Sequence, residues 1–212
     1  MHSLLDRRKA LAGAGAVLLA PRLALAQASL VVTPGQTEGP FYPTSFPTDM
    51  DWDLVRVTGQ AAQAMGQVTY VAGRVLNKRG APVRGATVEI WQCDAHGIYN
   101  HPQQSGLSRR DAAFQGYGRS EVAADASYRF RTIRPPAYPG RTPHIHFKVS
   151  APGAGRLTTQ MYFAGESQNA RDGVLGRIRD TRARESVIVR LDPASEAEAN
   201  ALKGTFDIVL DL

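Results

Sequence analysis

The chain has 212 residues, 43% hydrophobic and 21% charged, with 20 Gly, 13 Pro and a formal net charge of +6; this suits one domain or two small ones and argues against intrinsic disorder. Its one cysteine, Cys93, excludes an intrachain disulfide framework and a zinc site built on several thiolates, and no run approaches the roughly 20 apolar residues of a membrane-spanning helix. Half of the net charge lies in residues 1–26, and the densest remaining basic group, Arg177, Arg179, Arg182 and Arg184, is broken by Asp180 and closed by Glu185, so a solvated surface is expected there and no nucleic-acid partner.

In chain order, Asp6-Arg7-Arg8-Lys9, a weakly apolar run from Ala10 to Ala20, Pro21-Arg22 and Ala24-Leu25-Ala26 make a basic segment, a short apolar segment and a small-x-small cleavage site. The adjacent arginines and the Gly/Ala-rich core resemble a twin-arginine export signal, with an ordinary secretory signal as the alternative. The mature chain is expected to start near Gln27 and to be exported, periplasmic or secreted, with the twin-arginine export machinery as a partner. No cysteine follows Ala26, so no membrane anchor is expected. A route that carries folded, often cofactor-loaded proteins hints at a metal.

Residues 27–66, punctuated by Pro34, Gly35, Gly39, Pro40, Pro43 and Pro47, read as an irregular N-terminal arm. From residue 67 to 212 the pattern changes to short β-branched runs between turn signals. Strands are expected over 68–76, 86–92, 127–133, 144–150, 157–163, 186–191 and 205–210, with Asn77-Lys78-Arg79-Gly80 closing the first as a hairpin-type turn. One short helix is expected over 194–203, with Asp192 as its cap. Seven strands without long amphipathic helices between them predict a mainly β chain: a β-sandwich of immunoglobulin/transthyretin-like type with few short helices.

His144-Ile145-His146 falls in a strand-like run. Side chains alternate across a strand, so the two imidazoles share one face while Ile145, Phe147 and Val149 share the other. If the apolar set faces the core, the imidazoles face a cleft and can converge on one metal ion. Tyr138 stands six residues upstream in a Pro/Gly-rich loop that can fold back over them, and Tyr99 closes the segment from Val88. Neither segment offers an obvious paired carboxylate for a two-His-one-carboxylate ferrous site. Phenols with an ordinary pKa of about 10 are poor ligands unless a hard cation deprotonates them, so two histidines and two tyrosines fit ferric iron better than zinc.

Four ordered segments resemble the intradiol ring-cleavage dioxygenases: Thr37-Glu38-Gly39-Pro40-Phe41-Tyr42; Val71 to Val75 with Gly80, Val83, Val88 to Gln92 and Gly97-Ile98-Tyr99; Tyr138-Pro139 with Arg141 three residues before His144-x-His146-Phe147; and Leu157 to Phe163. The resemblance extends over residues 33–212. It implies a catalytic β-sandwich in which Tyr99, Tyr138, His144 and His146 bind non-haem Fe(3+), with Tyr99 and His144 equatorial and Tyr138 and His146 axial. It also implies that Tyr138 takes a substrate proton, that Arg141 contacts substrate and intermediate, and that Gln160 lies close by. The implied reaction inserts both atoms of O2 into a catechol-type aromatic diol and cleaves the ring between the hydroxyl-bearing carbons, giving a cis,cis-muconate-type diacid. Protocatechuate is the first substrate expected, with catechol and hydroxyquinol as alternatives, and a homo-oligomer stays open. The Tyr138-to-His144 loop is shorter than in the protocatechuate enzymes and lacks their tryptophan, a difference at the mouth of the pocket.

The other polar residues are expected to be structural. Cys93 reads as a small buried hydrophobe and Trp91 as core or pocket wall. His96 and His101 read as loop residues, and Tyr117, Tyr128 and Tyr162 lie outside the ligand positions, with Tyr128 alternating with Phe130 in the core. The competing readings are a non-catalytic β-sandwich binding module and a zinc enzyme built on His144 and His146.

Overall fold

The computed structural model describes residues 29–212; the expected export signal and its cleavage site lie outside the described residues. Alternation along the strands builds two facing sheets. In β1 (Val68–Asn77), Val71, Gly73 and Val75 turn inward while Tyr70, Ala72 and Arg74 turn out. β1 centres the first sheet. It pairs antiparallel with β4 (Ser127–Ile133) and parallel with β9 (Leu202–Thr205) and β10 (Ile208–Leu210), and β8 (Asp192–Pro193) flanks β9. The second sheet has the order β3 (Tyr117–Glu121), β2 (Thr87–Trp91), β5 (His144–Ala151), β6 (Gly155–Phe163), β7 (Ile188–Val189), antiparallel except for β7. Phe130, Ile145, Phe147, Met161 and Phe206 are fully buried in the core. Each such side chain contributes about 2 kcal/mol relative to exposure. The mainly β sandwich expected from the sequence is therefore the fold observed.

Several elements differ from expectation. The predicted strand over 205–210 begins earlier and runs in one register, Thr69 opposite Leu202 through Asn77 opposite Leu210, interrupted at Phe206 and Asp207. The interruption sits against Gly73, where a Cβ would lie 2.0 Å from the Phe206 carbonyl oxygen. Arg74 N donates to the Asp207 carboxylate there, at 2.8 Å. The hairpin turn after β1 forms as predicted, Gly80 N donating to Asn77 O at 2.9 Å with Gly80 at φ +78°.

No helix forms over 194–203, and Asp192 caps none. Asp192 pairs with Lys203 and Pro193 with Leu202, so the segment is a β8–β9 hairpin whose tip retains only one turn. Docking of β9 on β1 outweighs the propensity of the Ala/Glu run for a helix too short to persist alone. The α-helix is instead α1 (Thr181–Ser186), capped by the Asp180 carboxylate, which accepts from Ala183 N at 2.7 Å. It takes the place of the start of the expected 186–191 strand, of which only β7 remains. β3 was not anticipated because Tyr-Gly-Arg-Ser-Glu lacks apolar alternation.

Residues 29–66 hold no strand, only an isolated bridge between Asp53 and Arg131. The segment is stitched to both sheets: Thr33 N donates to Val209 O at 2.9 Å, Gln36 N to Thr158 O at 2.8 Å and Leu54 N to Arg131 O at 2.8 Å.

Candidate metal centre

Because Ile145, Phe147 and Val149 enter the core, His144 and His146 stand on the outer face of the second sheet. Cross-strand register supplies their neighbours: Tyr162 lies opposite His144, and His146 lies between Trp91 and Gln160. The Trp91 indole stacks on His146 with ring centres 4.8 Å apart and planes 13° apart. His144 is oriented differently. Its Nδ1 lies 2.7 Å from the Thr142 carbonyl, which accepts the ring proton and leaves the Nε2 lone pair facing the site.

Two loops bring phenols to these nitrogens. The Asp94 carboxylate accepts from His96 N, Ile98 N and Asp111 N at 2.9, 2.9 and 2.7 Å, folding the segment that presents Tyr99. Tyr138 and Arg141 close a tight loop, with Arg141 N donating to Tyr138 O at 2.9 Å. Tyr99 Oη lies 3.1 Å from His146 Nε2, 3.4 Å from His144 Nε2 and 3.5 Å from Tyr138 Oη. Tyr138 Oη lies 3.2 Å from His144 Nε2. Donors sharing one ion through bonds of about 2 Å stand at such separations.

The imidazoles do not line an open cleft as expected from the strand alone; His144 and His146 are only 1% and 3% exposed. Burial, with the Arg141 charge, lowers the His144 pKa to about 4. Burial, then His144 and Arg141, holds His146 well below the ordinary value, so both rings are neutral and can ligate. Burial raises Tyr99 well above an ordinary phenol, reinforced by Tyr138, and burial raises Tyr138 as well. A bound cation reverses that balance for a phenol. Among the described residues no three His, Cys, Asp or Glu side chains gather as a metal site. The donor set of two nitrogens and two phenols therefore fits a hard, highly charged cation and not the usual zinc set.

Arg141 and Gln160 flank the two phenols and two imidazoles and are fastened to each other. Arg141 Nη2 donates to Gln160 Oε1 at 2.5 Å, and Gln160 Nε2 donates to Thr37 O at 2.9 Å. Sequence reasoning missed Asp172, whose side chain is fully buried. It accepts from Arg141 Nε at 2.9 Å, Thr142 N at 3.0 Å, and Val174 N and Leu175 N at 2.9 Å each. Burial alone would raise this carboxyl, but the Leu175 and Thr142 amides and Arg141 hold it below the ordinary value. The arm supplies further contacts. Phe41 stacks on Tyr99 at 4.7 Å, Gln36 Oε1 accepts from Tyr162 Oη at 2.7 Å, and Gly39, at φ +74°, packs where a Cβ would sit 3.5 Å from the His146 ring.

An open cavity of about 430 Å3 reaches this group from the Tyr138 side, lined by Tyr138, Arg141, Thr142, Gln168, Arg171 and Asp172. Tyr99, His144 and His146 are not among its lining residues. Cys93 is buried, and burial pushes its thiol up to about 12, as suits an inert small side chain. His96 is exposed; His101 is buried against the edge of Phe41, 5.7 Å between ring centres. Tyr128 packs with Phe130 in the core and donates to Phe206 O at 2.5 Å, and Tyr117 donates to Glu89.

The chain matches the family model described as "Dioxygenase" over residues 37–212. It is 38% identical over 169 residues to the protocatechuate 3,4-dioxygenase beta chain of Burkholderia cepacia, covering 76% of this chain and 72% of that one. It is 33% identical over 181 residues to the 6-chlorohydroxyquinol 1,2-dioxygenase of Cupriavidus pinatubonensis, covering 76% of this chain but only 64% of that relative. Among solved structures, the dioxygenase domain of a dioxygenase carbohydrate-binding protein fusion from Streptomyces sp. SirexAA-E superposes with a TM-score of 0.67 at 32% identity, covering 86% of this chain and 99% of that domain. Sequence, fold and the convergence of two phenols on two imidazoles agree, and the chain belongs to the intradiol ring-cleavage dioxygenases.

Proposed function

We propose that the chain cleaves a catechol-type diol between its hydroxyl-bearing carbons, with Tyr99, Tyr138, His144 and His146 holding one ferric ion and protocatechuate as the first substrate. The observation that supports this most is the meeting of four donor atoms from two loops and one strand within 3.1–3.5 Å, with no carboxylate among them. Ferric iron, when bound, supplies the charge that draws the phenol protons off and gives adjacent ring hydroxyls a common point of attachment. Tyr138, the one phenol of the pair that lines the cavity, is placed to take a substrate hydroxyl proton on Oη. Arg141, held by Asp172 and Gln160, presents a fixed positive charge to negative charge developing on the ring. The arm and the Trp91 stack exclude water from the far side of the ligands.

Purified protein is expected to hold one iron per chain and to show a broad visible phenolate-to-iron band. Tyr99→Phe or Tyr138→Phe should shift the band, and His144→Ala or His146→Ala should lose the metal. Oxygen uptake with protocatechuate, catechol and hydroxyquinol ranks the substrates. A colourless, active zinc protein would overturn the reading, as would a yellow semialdehyde from cleavage outside the diol.

From the signal-like pattern of residues 1–26 we further propose that the mature protein is exported by the twin-arginine route. Arg7→Lys with Arg8→Lys is then expected to trap precursor in the cytoplasm, and normal export of that double variant would instead point to the ordinary secretory signal.

A further inference from the structure

The cavity beside the ligands is much larger than a bare ring requires. It measures about 430 Å3, whereas a cavity of about 150 Å3 already accepts benzene. Part of its wall is the 3-10 turn Ser167–Arg171. With three residues per turn, Gln168 and Arg171 eclipse one another, and both line the cavity together with Tyr138 and Arg141.

The turn is a fixed platform. Asn169 Nδ2 donates to Phe163 O at 2.8 Å while Asn169 Oδ1 accepts from Thr142 Oγ1 at 2.8 Å. Asp172, directly after the turn, is buried and anchored by four hydrogen bonds. The charges around the cavity divide unevenly. The Asp172 carboxylate is consumed by those bonds, and Arg141 is taken by Asp172 and Gln160. Arg134, on the neighbouring loop, is paired with Glu166. Arg171 is exposed and has no hydrogen bond or ion pair among the described residues. One uncommitted arginine, on a rigid support, therefore lines the cavity.

We propose that Arg171 is a specificity-determining residue that pairs with a carboxylate carried on the ring of the diol, directly or on a short side chain, so that the preferred substrates are acidic catechols. A guanidinium holds a carboxylate through two parallel N–H donors, and a neutral substituent leaves that fork unused. The inference rests on the ring-cleavage reading for the identity of the ring.

Equilibrium binding to the iron-loaded protein, measured without oxygen by calorimetry, tests it apart from turnover. The probes are 3,4-dihydroxybenzoate and 3-(3,4-dihydroxyphenyl)propanoate, each against its methyl ester. At least one acid is expected to bind about tenfold more tightly than its ester, with the difference shrinking as salt is raised. Arg171→Gln should abolish the difference, Arg171→Lys should restore part of it, and Arg171→Glu should reverse it. All four proteins should melt at the same temperature, since the side chain supports nothing else. Equal affinities for acid and ester in the unsubstituted protein, or a difference that survives Arg171→Gln, would overturn the proposal while leaving ring cleavage standing. Failure of every diol to bind would overturn both.

Discussion

Asp172 shows how one residue can govern a group of donors it does not join. Its carboxylate joins the loop bearing Tyr138 and Arg141 to the segment that follows β6, and fixes the direction of the Arg141 fork. Asp172→Asn replaces a charge-assisted contact worth about 1.5–3 kcal/mol by a neutral one. It is expected to lower kcat/KM at least tenfold through loss of Arg141 orientation while retaining the iron band; an unchanged kcat/KM would assign Asp172 to folding alone. The sequence makes His144 and His146 legible because a period of two is visible within three residues. Tyr99 and Tyr138 are legible through family resemblance, since no local period ties them to a strand 45 and six residues away respectively. Asp172 is legible by neither route. It acts on Arg141 across 31 residues, from a Gly-containing turn that carries no repeating pattern.

Elements follow the same division. β1, β4 and β5 are readable because apolar residues recur at alternate positions, and β6 from its apolar end Met161-Tyr162-Phe163, while β3 is held by its neighbour β2 and the helix expected over 194–203 is overridden by the pairing of β9. Gly73 on β1 is the tightest approach. A methyl there would collide with the Phe206 carbonyl oxygen, which also accepts from Tyr128 Oη. Gly73→Ala is expected to destabilise the domain by about 3 kcal/mol through overpacking and separation of β1 from the C-terminal run. Urea unfolding measures this, and a loss within 0.5 kcal/mol, roughly the scale of surface substitutions, would show that the interruption at Phe206 and Asp207 moves aside easily.

At the scale of the whole molecule, Arg131 binds distant parts of the chain together. Its guanidinium meets Asp53 of the N-terminal segment at 3.0 Å and Glu198 of the β8–β9 hairpin at 2.8 Å, with the arginine side chain only 9% exposed. Removing one partner of a buried pair leaves uncompensated charge, so Arg131→Met is expected to cost about 3 kcal/mol at pH 7. Burial opposes ionisation of Glu198, but Arg131, Gln63 and Tyr70 hold it below the ordinary value of 4.5. A depressed carboxylate stabilises the fold above its unfolded pKa and loses that contribution as pH falls through the folded value. The gap between the two proteins should therefore be full above about pH 4.5 and narrow below it. A gap constant with pH would mean that Arg131 acts by packing alone.

The parallel run of β9 and β10 along β1 also sets an order in time. Among the described residues β1 is the first strand to be synthesised and β10 the last, and Thr33 of the arm fastens on Val209 within β10. The arm that carries Gln36, Gly39 and Phe41 to the phenols and imidazoles thus gains this anchor only once β10 has been made. Contacts between such distant parts of a chain form slowly. The four donor groups of the proposed site, encoded between Tyr99 and His146, are synthesised before β10, and on that reading the interval before the arm is anchored leaves them open to an ion from solution.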